Sequence, residues 1–189
     1  MKYEVLESNN YYHIFNQGNN GENIFCEDIN YSYFLVLTKK YIHPIASILS
    51  YCLLKNHFHF LIQIKDIDDQ KLISKSFSNF FNAYSKSINK KYNRTGSLFR
   101  DRFKRIKVEN EEYLKKLIIY INLNPIYHQF VTELNQYKHS SYLALLSEKS
   151  TLLKREEVLL LFGDLENFEY HLAHKKLEFD EKLKELILE

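Results

Sequence analysis

Two apolar, aromatic-rich runs, Ile45–Leu54 and His57–Ile64, stand only two residues apart, separated by Lys55-Asn56. A two-residue break between strand-length runs is the spacing of an antiparallel hairpin, and runs this apolar belong in a sheet interior. Around that hairpin the rest of the first hundred residues falls into place. Tyr11 to Asn16 is β-prone, and Gln17-Gly-Asn-Asn-Gly21 is turn chemistry that ends it. Asp28 can cap a helix that carries Tyr31, Phe34, Leu35 and Leu37 at roughly helical spacing, with Lys39 and Lys40 near its C-terminal end and His43-Pro44 closing it. The polar stretch Lys65–Gln70 leads to an amphipathic helix over Leu72 to Tyr92, with apolar residues at 73, 77, 80, 81, 84 and 88, until Gly96 breaks the pattern. Phe99, Phe103, Ile106 and Val108, interleaved with arginines and lysines, read as a final strand. The order βαββαβ predicts an α+β fold, the ferredoxin-like split βαβ arrangement, an antiparallel sheet with helices on one face.

Asn110 can cap a further helix whose first turn holds Glu111 and Glu112, whose buried stripe is Leu114, Leu117, Ile118 and Ile121, and which Pro125 ends. Residues 133–189 hold more helices, among them Arg155–Phe162 and an apolar-charged run at 177–188, and no catalytic signature. The organisation expected is one unit over 1–132 and a helical C-terminal extension over 133–189 packed on the same body.

A chain of 189 residues that is 45% hydrophobic can bury a sizeable core, which excludes disorder as the dominant state. The net charge of +2 says little about partners, but its distribution is uneven: residues 71–107 hold 11 basic residues and one acid, Asp101, a local charge of +10. Such a cluster exceeds an ordinary solvated face and points to phosphate contact. Tyr92, Phe99 and Phe103 are candidates for stacking on bases, the two phenylalanines equally for the core. Cys26 and Cys52 are too few for a disulfide scaffold and lack CxxC spacing, so buried free thiols in the cytoplasm are expected. No segment approaches the ~18 uninterrupted apolar residues of a membrane helix, and the start lacks the apolar stretch of a signal peptide.

His57-Phe-His59 lies on a predicted strand, so both imidazoles project from one face while Phe58 and Phe60 project from the other. Two neutral imidazoles on one face can bind a metal, although a His-x-His pair in a strand is more often structural. Tyr120 and Asn124, at helical i, i+4 spacing, share one face with Cβ atoms about 6 Å apart. Lys116 lies one turn earlier. His43, His128, His171 and His174 have no partner in the sequence pattern.

Taken together, these pieces resemble the single-tyrosine HUH transposases, specifically the REP-associated tyrosine transposase branch of the IS200-like family. The matching stretches are Tyr12-His13-Ile14 with Asn16-Gln-Gly-Asn-Asn, Asn56-His-Phe-His-Phe-Leu-Ile62, Gly96-Ser-Leu-Phe-Arg with Arg102-Phe-Lys, Tyr120-Ile-Asn-Leu-Asn-Pro125, and Tyr137-Lys-His-Ser-Ser-Tyr142, in the family's order over residues 11–142. Gln17, His139 and Asn122 stand where such proteins often have Arg, Trp and His. The resemblance implies a nucleophilic Tyr120 that attacks a DNA phosphodiester to give a 5′-phosphotyrosine and a free 3′-hydroxyl. It also implies a divalent cation, Mg²⁺ or Mn²⁺, held by His57 and His59 and completed by Asn124; a mixed N,N,O set with open positions suits those ions. Single-stranded or hairpin DNA is the implied partner, and monomer and homodimer both stay open. The candidate DNA contacts are His13, Lys86, Lys90, Lys91, Arg94, Arg100, Arg102, Lys104, Arg105 and Lys116. Two other readings of the residues stay open: a hairpin-DNA binder that keeps the fold without cleavage, and a metal phosphohydrolase of small phosphoesters in which Tyr120 is packing.

Overall fold

The computed structural model describes residues 4–67 and 69–174. Four antiparallel strands, β1 (Tyr11–Gln17), β2 (Ala46–Leu54), β3 (His57–Ile64) and β4 (Lys104–Val108), form one sheet in the order β2-β3-β1-β4. With α1 (Asp28–Leu37) between β1 and β2 and α2 (Gln70–Lys91) between β3 and β4, this is the ferredoxin-like α+β arrangement. The hairpin turn at Lys55-Asn56 is held from outside: Lys55 O accepts from the backbone N–H groups of Ile24 and Phe25, and Asn56 O from that of Gly18. A Cβ at Gly18 would lie 1.9 Å from Glu22 O, so glycine is required where the chain leaves β1.

Strand alternation divides the core in two. Tyr12 and Ile14 of β1 and Phe58, Phe60 and Ile62 of β3 pack against Phe34 of α1 and Phe77, Phe80 and Tyr84 of α2. Each such buried side chain contributes about 1.5–3 kcal/mol. Phe15 and Leu61 turn the other way, against α3 (Glu111–Tyr127) and against Leu145, Val158 and Phe168 of α4 (Tyr142–Leu146), α5 (Arg155–Phe162) and α6 (Leu165–His174). A bulge between Ile48 and Ser50 shifts the β2 register and puts Ser50 opposite Leu61, on the α3 face. There Ser50 Oγ accepts from Asn122 Nδ2 at 3.0 Å, and Ser141 Oγ donates to Asn122 Oδ1 at 2.8 Å. Asn122 thus ties α3 to both β2 and the start of α4. The outer edge of β2 is covered by the later chain, through Ser141 N to Tyr51 O and Lys154 N to Ile48 O, while β4 forms the opposite edge of the sheet.

Several local expectations need correcting. Glu27, not Asp28, caps α1, because its carboxylate and the Asn30 side chain close a reciprocal capping box. A wide π turn over Thr38–Ile42 extends the helix before His43. The final strand begins only at Lys104; Phe99 and Phe103 pack on α2 instead, with only an isolated bridge between Phe99 and Gly18. Pro125 lies inside α3, which runs on to Tyr127. Cys52 is buried as expected, but Cys26 is exposed in the segment leading to α1. The 177–188 run lies outside the described residues. Among the described residues, no helix is long and apolar enough to cross a membrane.

Candidate active site

His57 and His59 project from β3 toward α3, and the two rings stand perpendicular with centroids 5.3 Å apart. Both are buried. His57 Nδ1 lies 2.7 Å from Asn56 Oδ1. An amide oxygen can only accept, so the proton sits on Nδ1 and Nε2 presents its lone pair. His59 Nδ1 lies 2.9 Å from Nε2 of His13, its diagonal neighbour on β1, where Phe15 is the residue directly opposite His59. With the shared proton on His59 Nδ1, the Nε2 atoms of both histidines are bare. Neither makes a hydrogen bond.

Asn110 opens α3 by accepting from Tyr113 N at 2.8 Å, with Glu111 and Glu112 in the positive first turn. Three turns on, Tyr120 is 2% exposed and meets His59 edge to face at 5.8 Å. Asn124, 0% exposed, donates Nδ2 to Tyr120 O at 3.0 Å and leaves Oδ1 without a hydrogen bond; the Tyr120 hydroxyl makes none either. Two imidazole nitrogens, an amide oxygen and a phenol are therefore brought together, dry and unsatisfied. Orphaned buried groups cost about 1–3 kcal/mol each, so a cluster of them is explained by something they bind. A divalent cation taking His57 Nε2, His59 Nε2 and Asn124 Oδ1 would satisfy all three acceptors. Among the described residues, no group of three His, Cys, Asp or Glu side chains is placed to hold a metal, so such a site needs the amide.

Burial sets the electrostatics. It lowers the pKa of His13 and of His57 to about 3, the latter assisted by the nearby His128, and holds that of His59 well below the usual imidazole range. It pushes the Tyr120 phenol up to about 12 against an opposing pull from Asn124. These histidines stay neutral when folded and protonate once unfolded, so the cation-free protein loses stability as pH falls below about 6.5 toward the folded values, by up to about 1.4 kcal/mol per pH unit for each histidine. Melting curves of cation-free protein from about pH 7 to about pH 5, above most carboxylate titration, should show a steadily falling Tm. A constant Tm there would contradict the dry imidazoles.

His128 was not singled out by the sequence pattern, yet its ring lies 4.8 Å from that of His57. His13 corrects the expectation of a DNA contact: it is fully buried, stacks on Phe15 at 4.6 Å, and backs His59 instead of facing outward. The basic segment divides as well. Lys86, Lys90, Arg100, Arg102 and Lys104 are exposed. Lys91 pairs with Glu27 at 3.1 Å, Arg94 with Glu22, and Lys116 with Glu112 at 3.0 Å. Arg105 is half-buried with its guanidinium 4.1 Å over the Phe103 ring. Lys104 lies on the histidine face, its Nζ 5.8 Å from the Phe15 ring. Of the departures from the family pattern, His139 stacks on Tyr31 at 3.7 Å and reaches Asp28 at 3.1 Å, while Asn122 belongs to the Ser50–Ser141 network.

Residues 7–124, from just before β1 through Asn124, match the family model described as Transposase IS200 like. The chain belongs to the IS200-like transposase family. Among solved structures, that of the REP-associated tyrosine transposase bound to a REP hairpin is similar to this family member with a TM-score of 0.66 and 14% sequence identity, covering 78% of this chain and 86% of that one. At that identity the likeness is one of fold. None of the curated proteins matches the chain by sequence.

Proposed function

We propose that this IS200-like transposase is a metal-dependent single-strand DNA nickase and strand transferase that acts at hairpin-forming sequences through a 5′-phosphotyrosine intermediate. The observation that carries the reading is the buried cluster of His57 Nε2, His59 Nε2, Asn124 Oδ1 and the Tyr120 hydroxyl, four unsatisfied atoms of the types the reaction requires. A Mg²⁺ or Mn²⁺ ion bound there supplies charge stabilisation to a scissile phosphate. Asn56 Oδ1 keeps the proton of His57 on Nδ1, and a proton on His59 Nδ1, donated to His13 Nε2, would turn the second lone pair toward the cation as well. Tyr120 passes its phenolic proton to water, its oxygen bonds to phosphorus as the bond from phosphorus to the 3′-oxygen of the preceding nucleotide breaks, and that oxygen takes up a proton from water to leave as a free 3′-hydroxyl. Reversal with a second 3′-hydroxyl joins strands without an external energy source, since the phosphotyrosine keeps the bond energy.

Burial of Tyr120 requires α3 to lift from the sheet before DNA enters, and residues 109–110 between β4 and α3 are the place for a hinge. The same burial also favours a second reading, hairpin binding without cleavage. Incubation with hairpin DNA carrying single-stranded flanks, with Mn²⁺ and then denaturing electrophoresis, separates them: a covalent protein–DNA band is expected, and its absence despite DNA binding leaves the binding-only reading.

Phosphate contact is assigned first to the exposed Arg102 and Lys104 near the β4 edge. Replacing both by alanine should reduce the slope of log K against log salt by about 1.4 for single-stranded DNA, about 0.7 for each lost contact. Binding titrations across a salt series read this directly, and an unchanged slope would remove both residues from the interface.

A further inference from the structure

On the sheet face away from the histidine pair, a cleft of about 610 Å³ opens between α2, the N-terminal segment and the 99–105 loop. This is the size of a small-ligand pocket. Its apolar lining includes the half-buried Phe81 and Phe103; Phe103 stacks on Phe77 at 4.7 Å and on Phe81 at 5.2 Å. One wall is polar. Gln70, Ser74, Ser78 and Asn82 recur every fourth residue along α2, which lines up two hydroxyls and two amides on one side of the cleft. Glu4, Asp101, Arg102 and Arg105 also line it, the Arg105 guanidinium lying 4.1 Å over the Phe103 ring. A smaller notch of about 180 Å³ adjoins it, sharing Asn16, Asp101 and Arg102 and adding Arg100 and Lys104.

An aromatic slot with hydrogen-bonding groups on its rim, beside a small notch rich in cations, has the layout of one nucleotide. We propose that the cleft receives a single unpaired base of the bound DNA strand and the notch receives an adjoining phosphate. This inference rests on the DNA-processing reading above. The sheet edge makes it geometrically coherent: along β4, Lys104 and Ile106 turn to the histidine face while Arg105 turns to the cleft. A strand crossing that edge has a phosphate on one face and a base on the other. The mixture of carboxylates and guanidiniums selects a base that offers an exocyclic amine beside a ring carbonyl, as cytosine does and thymine does not.

The test is competition binding of equal-length oligo(dC), oligo(dT) and an abasic backbone to the full chain. Oligo(dC) should bind about tenfold more tightly than either of the others. In Ser78→Leu and, separately, Asn82→Leu, both exposed α2 positions where leucine fills the cleft without opposing the helix, that preference should fall to about onefold while salt-dependent binding persists. Circular dichroism confirms folding of each variant. Wild-type protein that binds all three oligomers equally overturns the base pocket and leaves the DNA reading standing, and so does a preference retained in both variants. If none of the oligomers binds while a hairpin with single-stranded flanks does, the pocket fails and the DNA reading stands; if the hairpin does not bind either, both fail.

Discussion

Alanine at His57 or at His59 is expected to abolish measurable Mn²⁺ binding and to slow strand cleavage by about 10³-fold, the equivalent of about 4 kcal/mol of lost charge stabilisation at the phosphate. Each replacement removes one of two imidazole lone pairs in a cluster whose remaining acceptor is a single amide oxygen. Asn124→Ala should have a smaller effect, weakening metal affinity and slowing cleavage without eliminating either, because an amide is a weaker ligand than imidazole. His13→Ala leaves every proposed ligand in place and frees His59 Nδ1 from its 2.9 Å partner, so it should cost about 10–100-fold in metal affinity. Calorimetric Mn²⁺ titration and single-turnover cleavage of the same variants test this order. Unchanged metal affinity in both His57→Ala and His59→Ala would remove the site; normal behaviour of Asn124→Ala alone would remove only the third ligand.

Tyr120→Phe should bind DNA as well as the wild type and form no covalent adduct, because the deleted oxygen is the atom that joins phosphorus. The change is mild for the fold: the Tyr120 hydroxyl makes no hydrogen bond, and removing an unsatisfied buried polar atom should leave Tm unchanged or slightly raised. Loss of cleavage with retained stability separates the nucleophile from a packing residue, which a truncation to alanine would not do. An adduct persisting in Tyr120→Phe would move the nucleophile to another of the 15 tyrosines.

The fold was legible because its determinants are local. A two-residue gap between apolar runs predicts the β2–β3 hairpin, four-residue spacing predicts α2, and strand alternation predicts that Phe58 and Phe60 face away from His57 and His59. The errors arose where one particular partner, near or distant in sequence, decides. Asn30 selects Glu27 over Asp28 as the cap of α1, and the phenylalanine-rich face of α2 draws Phe99 and Phe103 out of the final strand. Ending the third helix at Pro125 had a larger consequence, since it hid that 120, 124 and 128 follow one another at i, i+4 spacing. With the helix continued to Tyr127, His128 comes to lie beside His57. Strand register, which no local pattern gives, sets His13 opposite Leu61 and so places it diagonally beside His59 on the same face. Charge counting likewise located a basic segment but not the carboxylates of Glu22 and Glu27, distant in sequence, that pair with Arg94 and Lys91.

In the proposed reaction Tyr120 forms a bond to DNA at a cation held by His57 and His59. Mass spectrometry of the adduct after nuclease and protease digestion tests it most directly. Wild-type protein incubated with hairpin DNA and Mn²⁺ is expected to yield a peptide beginning at Leu117, with a nucleotide remnant that fragmentation assigns to Tyr120 and that is missing when His57 and His59 are both replaced. A remnant on any other residue would remove Tyr120 as the nucleophile, and one formed equally in the double histidine variant would remove the histidine-held cation from the reaction.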